Sequence, residues 1–226
     1  MTELLTAAQM RAIEEEAIAS GRVTGLELME RAGRGVVEAM LSQWPELRDG
    51  PQYAVILCGP GNNGGDGFVV ARLLTELGWR VSVLALGDPA KLPPDAKSNH
   101  ARWAIDHAVV SYSVDEILKA EVSARDSGAE SLVIVDALFG IGQRAPMDDI
   151  VAPFRAFINA SAERGALPAP VVVAVDLPTG YDADSGAALA AIPFHADLIV
   201  TFHARKPLHD MPHFGDVPLR VVDIGL

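Results

Sequence analysis

The chain has 226 residues, half of them apolar, carries a formal charge of −12 and contains one cysteine. The length suits one large domain or two small ones, and the acid excess excludes both an extended nucleic-acid surface and an anionic-membrane surface, which need clustered Lys and Arg. Cys58 alone excludes an intramolecular disulfide and agrees with a reducing, cytoplasmic setting; no apolar run reaches membrane-helix length, and Met1 to Gln9 lack the basic-then-apolar order of a signal peptide.

Thr6 and Gln9 spell a capping box, and Met10, Ile13, Ala17 and Ile18 give an apolar stripe, so a first helix runs from Thr6 to a stop at Gly21. A second runs from about Thr24 to Gln43, with Leu28, Ala32, Val36, Val37, Met40 and Leu41 inward and Trp44-Pro45 as its stop. These two helices form an N-terminal extension that must pack on the α/β body. Near the second helix's start, Glu27, Met29 and Glu30 read either as a solvated face or as groups that reach a site or a partner.

Tyr53 to Leu57 is a short apolar strand, and Phe68 to Leu77 carry apolar residues at helical spacing. Between them lies Cys58-Gly59-Pro60-Gly61-Asn62-Asn63-Gly64-Gly65-Asp66-Gly67, a strand-to-helix turn. Gly59, Gly61 and Gly64 spell G-x-G-x-x-G, which lets a backbone approach a ligand and aims a helix N-terminus at a phosphate. The two amides and the carboxylate exceed what a phosphate turn needs, and they point to a held cation or polar ring. Cys58 closes a buried strand and reads as packed rather than reactive.

Arg80 to Leu86 is the next strand, closed by Gly87-Asp88-Pro89; Asp88 is either a ribose ligand or a turn residue. A loop and helix over Ala90 to His107, a short strand near Val109 and a helix over about Val114 to Glu121 come next. Leu132 to Val135 is a strand apolar on both faces, hence central and parallel, and it ends in Asp136. Gly140 and Gly142 then make a second glycine-rich turn, with Arg144 available to a phosphate. A helix from about Asp148 to Arg164 returns the chain, and Val171 to Val175 ends in Asp176-Leu177-Pro178-Thr179-Gly180. Ala196 to His203, with Arg205-Lys206-Pro207 after it, and Leu219 to Val222 are the last strands.

Strands alternating with helices give an α/β fold, three layers with a largely parallel sheet covered on both faces, and no linker divides the chain, so residues 1–226 read as one domain. Successive strand ends offer Asn63 or Asp66, then Asp136, then Asp176 with Thr179. One such acid is a routine cap, whereas three on successive strands converge on one cleft.

Other chemistries fit less well. His209 and His213 are four apart, but Pro207 and Pro212 break the helix that a zinc pair would need, so both read as surface or loop histidines. There is no G-x-S-x-G elbow and no G-K-[ST] after the glycines. A nicotinamide-dependent dehydrogenase explains the three glycines and Asp88 but not the N-N-G-G-D continuation.

The segments C-G-P-G-N-N-G-G-D-G, V-D-A-L-F-G-I-G, V-D-L-P-T-G-Y-D and V-x-D-I-G, with the opening L-T-A-A-Q-M-R-A-I-E and L-M-E-R-A-G, resemble the NAD(P)H-hydrate epimerases, the YjeF N-terminal domain family. The resemblance spans nearly the whole chain. It implies a Rossmann-like fold and epimerisation of NADHX and NADPHX, cofactors hydrated at C6 of the nicotinamide ring. By the same resemblance Asn62, Asn63, Gly64, Gly65 and Asp66 bind the substrate, as do Gly140, Ile141, Gly142, Gln143, Arg144, Ala145 and Pro146. The resemblance also implies that Asp176 contacts the hydrated ring and that Asn63, Asp136 and Thr179 hold a potassium ion; the position of Asp176, ending a central strand before Leu177-Pro178, makes it the expected catalytic acid/base, with Asp66 or Lys206 as the fallback. Threonine at 179 replaces the usual serine, and Gln143 stands where an apolar residue is common. The N-terminal helices and the apolar composition support a homodimer, and the family implies a separate ATP- or ADP-dependent dehydratase as partner, since the chain looks like the epimerase unit alone. A non-catalytic nucleotide-binding or dimerising scaffold is the alternative within the same fold.

Overall fold

The computed structural model describes residues 4–164 and 169–226. In chain order it forms α1 (Ala7–Ala19), α2 (Gly25–Gln43), β1 (Gln52–Cys58), α3 (Asn62–Glu76), β2 (Arg80–Ala85), α4 (Pro94–Trp103) and β3 (Val109–Ser111). Then come α5 (Val114–Asp126), β4 (Ser131–Ala137), α6 (Asp148–Arg164), β5 (Val171–Val175), β6 (Leu198–Phe202) and β7 (Leu219–Val222). The strands make one seven-stranded sheet in the order β3-β2-β1-β4-β5-β6-β7, every neighbouring pair parallel. The order reverses between β1 and β4, the switch point where open α/β sheets hold their ligands.

Each central strand is buried on both faces, and alternate residues divide between two cores. Ala54, Ile56 and Cys58 of β1 join Val133, Val135 and Ala137 of β4 against α2, α3 and α4. Tyr53, Val55 and Leu57 join Leu132 and Ile134 against α5 and α6. The expected three layers are thus present, and α2 belongs to one of them. Its Glu27 caps its own start through Thr24, Glu30 bonds Arg72 of α3, and Met29 is buried behind Gly65. None of the three faces the cleft as a ligand.

The helix α1 has a different task. Its N-terminal capping box at Thr6 and Gln9 is formed, and it lies across the loops that follow three strands. Leu5 N donates to Arg205 O after β6, Ala7 N donates to Asp184 after β5, and Arg11 Nη2 donates to Ile141 O after β4. Met10 is buried with Leu5 and Ala204 beside Ile141. The extension therefore roofs the C-terminal ends of the sheet.

Element limits shift where side chains compete with the ladder. The helix expected from Phe68 starts at Asn62, so the asparagines form its first turn and no residue of 59–67 has positive φ. The helix expected within Ala90 to His107 is confined to Pro94–Trp103. The strand expected over Ala196 to His203 is shorter, because Asp197 spends its carboxylate on Val172 N and His203 turns to φ 60°. Among the described residues no helix is long and apolar enough to cross a membrane.

Candidate active site

The glycine motif meets the requirements of a pyrophosphate turn residue by residue. A Cβ on Gly64 would sit 2.0 Å from Gly59 O, so the first turn of α3 packs directly on the end of β1. A Cβ on Gly61 would meet nothing within 4 Å, leaving its backbone open to a ligand at the helix N-terminus. Asn62 lies exposed there, and Asn63 turns inward, with Nδ2 buried and without a hydrogen-bond partner among the described residues.

Asp136, at the end of β4, is fully buried. Its Oδ2 accepts Thr179 N at 2.7 Å, and its Oδ1 accepts the Thr179 hydroxyl at 2.7 Å and Leu138 N at 3.3 Å. Burial raises its pKa to about 6 against the pull of those donors, and no cation contributes. Threonine fits here: its hydroxyl reaches the carboxylate and its side chain is fully buried.

Asp176 follows β5 with φ 69°, a left-handed conformation that Asp tolerates and that functional sites often retain. Its Oδ1 takes the Lys206 ammonium at 2.8 Å and the Thr201 hydroxyl at 2.9 Å, while its Oδ2 accepts Ile141 N at 3.1 Å. A Cβ on Gly140 would lie 2.8 Å from Oδ2 and 3.1 Å from Asn63 Oδ1, so only glycine lets the second loop come this close. Burial opposes the charge of Asp176, but the Lys206 ammonium and the Thr201 hydroxyl outweigh it and hold the carboxyl below its ordinary value. Lys206 is itself buried, and its Nζ also donates to Thr201 and Phe202 O.

His209 is a correction to the sequence expectation. It is buried, accepts Lys206 N on Nδ1 at 3.0 Å, and so donates from Nε2 to Asp176 O at 3.0 Å. Burial lowers its pKa to about 4, so it is a neutral brace behind the acid. His213 is exposed, as expected, and stacks on Tyr181.

Two further acids interact electrostatically with Asp176. Asp66, on the second turn of α3, is pushed well above the usual carboxylate range by burial and then by the charges of Asp176 and Glu14. Glu14 of α1 is raised to about 7 by burial and then by Asp176, partly offset by Lys206 and Arg11. Glu14 closes the quoted L-T-A-A-Q-M-R-A-I-E segment, yet nothing in that segment marks it as a site residue by type. Its signal is spacing, one helical turn past the buried Met10 on the face that carries Arg11.

The loop over residues 140–146 divides in two. Gln143 is buried, donates to Phe139 O and accepts Gly180 N at 2.6 Å, tying this loop to the turn after Asp176. That is what a polar residue does in this place. Gly142, Arg144, Ala145 and Pro146 are exposed, and Arg144 reaches Asp184 at 3.4 Å across the surface. Cys58 is buried, with burial pushing its thiol up, so it is packed rather than reactive.

The structure therefore brings Asn63, Gly140, Ile141 and Asp176 into one cluster, puts Asp136 with Thr179 beside it, and leaves Arg144 to Pro146 on its rim. Comparison with known proteins gives a consistent result. The chain is 45% identical over 230 residues to the NAD(P)H-hydrate epimerase of Rhodobacter capsulatus, covering all of both chains. It is 47% identical over 217 residues to the NAD(P)H-hydrate epimerase of Roseobacter litoralis, covering 92% of each. The crystal structure of yeast ynu0, YNL200c, matches with a TM-score of 0.71 at 25% identity, over 97% of this chain and 87% of that one. Residues 25–208 match the family described as YjeF-related protein N-terminus, a span that holds all three strand-end motifs, and the chain belongs to that family.

Proposed function

We propose that the protein is an isomerase that interconverts the R and S forms of NADHX and NADPHX at C6 of the nicotinamide ring, as part of nicotinamide cofactor repair. The observation that carries this reading is the pair Asp176 and Asp66. Their surroundings push them in opposite directions: the Lys206 ammonium and Thr201 hydroxyl hold the Asp176 carboxyl below its ordinary value, while burial and then the charges of Asp176 and Glu14 raise Asp66 well above its own. Two acids separated in this way supply a base and an acid at one pH.

The substrate chemistry uses both. C6 bears the ring nitrogen and a hydroxyl. Asp176 accepts the hydroxyl proton as the C6–N bond opens to an aldehyde, and Asp66 gives its proton to the departing nitrogen. Rotation turns the other face of the carbonyl toward that nitrogen. On closure the nitrogen proton returns to Asp66 and the proton on Asp176 returns to oxygen, so no proton is consumed. Ile141 N holds Oδ2 of Asp176 toward the cleft, and Lys206 and His209 keep the carboxylate in place. The roof formed by α1 limits water at a ring that water has already damaged.

A potassium ion fits the residues assigned to it. Asp136 is a buried carboxylate whose partners are all neutral donors, a backbone N–H and hydroxyl from Thr179 and the Leu138 N–H, so its charge has no cation beside it among the described residues. Asn63, Asp136 and Thr179 would hold the ion through oxygen atoms, which suits a hard cation. When bound it offsets the acids and fixes the two glycine loops against each other. Epimerisation alone repairs nothing, so an enzyme that consumes one of the two forms must complete the task; an ATP- or ADP-dependent dehydratase is the partner we assign. The test is direct: purified protein is added to R-NADHX and the S form is followed by HPLC. Acceleration supports the reading, and equal rates with and without protein overturn it.

A further inference from the structure

A cleft of about 140 Å³ opens at the C-terminal ends of β1, β2 and β3, between the glycine turn and Asp88. We infer that it receives the adenosine half of the dinucleotide, and that Asp88 makes it prefer a ribose with free 2′ and 3′ hydroxyls to one bearing a 2′-phosphate. The inference rests on the epimerase reading, which puts the nicotinamide end at Asp176.

Position is the first argument. From β5, which ends at Asp176, to β2, which leads to Asp88, the sheet passes through β4 and β1. Those are three inter-strand steps of about 4.8 Å, or ~14 Å in all, a span that an extended dinucleotide covers. Gly61 and the N-terminus of α3 stand on β1 between the two ends, where the pyrophosphate would cross. Ring, pyrophosphate and adenosine then lie in one line across the strand ends.

Lining chemistry is the second. Phe68 and His100 meet edge to face with ring centroids 5.1 Å apart, and Leu86, Leu92 and Val110 complete an apolar slot for a flat base. Asp88 stands at the mouth, and its position is fixed because Oδ1 accepts Ala90 N at 2.9 Å. Among the described residues Oδ2 accepts from no protein donor, which leaves an anionic acceptor for ribose hydroxyls. A carboxylate cannot donate, and it repels a phosphate. Among the described residues no lysine or arginine lines the cleft to offset a 2′-phosphate. Sequence alone leaves Asp88 between ribose ligand and turn residue; in the structure one oxygen serves the turn and the other is free for the ribose.

The test uses adenosine fragments that lack the nicotinamide ring. ADP-ribose and its 2′-phosphorylated analogue are titrated calorimetrically into the wild type, Asp88→Ala and Ser111→Trp, with thermal unfolding to verify folding. Ser111 is an exposed lining residue at the end of β3, where an indole would fill the slot. The wild type should bind ADP-ribose at least about tenfold more tightly than the analogue, as expected for a charge-assisted hydrogen bond made only by the former. Asp88→Ala should weaken ADP-ribose about tenfold and close the gap, and Ser111→Trp should weaken both ligands. Equal affinities in the wild type, or ADP-ribose affinity unmoved by both substitutions, would overturn the inference. Epimerisation of NADHX by the same wild-type preparation separates the two claims. An active enzyme with insensitive ADP-ribose binding loses only this subsite, whereas an inactive one loses the epimerase reading.

Discussion

Lys206 offers the sharpest stability test of the site. It is 1% exposed and sits 2.8 Å from Asp176 Oδ1, with its remaining protons directed at Thr201 and Phe202 O. Lys206→Met keeps most of the stem and removes the charge, leaving Asp176 buried without its cation. Breaking a buried pair from one side costs about 3–5 kcal/mol. For a chain of this length that lowers Tm by roughly 6–20 °C. Adding Asp176→Asn should recover much of the loss, because no bare charge is then left, giving a coupling of about 0.5–3 kcal/mol. The pH dependence is set by sign. In the wild type the folded pKa of Asp176 is depressed, so its contribution is present above the unfolded value of about 3.9 and is lost as pH falls through the lower folded value. In Lys206→Met, burial acts without its main opponent and raises that pKa. The deficit relative to wild type is then full at neutral pH and shrinks on acidification. Thermal and urea unfolding of the two single variants and the double variant measure all of this. A Lys206→Met protein within about 2 °C of wild type, or strictly additive effects, would refute the reasoning.

Other substitutions probe the cleft separately. Gly140→Ala places a methyl 2.8 Å from Asp176 Oδ2 and should lower kcat/KM at least about tenfold with little change in Tm, read by steady-state kinetics. Glu14 has its folded pKa raised from 4.5 to about 7, so it adds to the stability that the wild type loses as pH rises through that window, and Glu14→Gln should lose less, the raised Asp136 and Asp66 remaining; urea midpoints at about pH 5 and about pH 7.5 test the divergence. Replacing choline with potassium in the buffer should raise the Tm of the wild type, and Asp136→Asn should abolish that response, because its buried carboxylate is the charge the ion would offset.

The fold is legible in the sequence because the sheet is parallel and buried on both faces. Runs such as Tyr53 to Leu57 and Val171 to Val175 are apolar throughout, and glycine- or proline-rich turns punctuate them. The strand-end positions of Asp136 and Asp176 come from the same pattern. Periodicity cannot give the start of α3, since two asparagines and three glycines have poor helix propensity and are held helical by packing against β1 and Met29. Nor can it bring distant groups together. In the sequence Lys206 is only a fallback acid/base, and His209 reads as a surface residue because its flanking prolines argue against a helix. Both are buried through the turn after β6, which folds back onto Asp176. Glu14 lies 162 residues from Asp176 in sequence, and only the packing of α1 across three loops brings it to the cleft.

If the Asp176 carboxylate moves the proton in NADHX epimerisation, an amide in its place should not. Asp176→Asn keeps the size and much of the hydrogen bonding but cannot accept and return a proton as a carboxylate does. Single-turnover conversion of R- to S-NADHX by wild type and Asp176→Asn, resolved by HPLC at saturating substrate, measures it directly. The rate should fall by about 10²–10⁴, with ADP-ribose affinity largely kept. An Asp176→Asn enzyme near the wild-type rate would contradict that role and leave the base to be Lys206, or Asp66 acting alone.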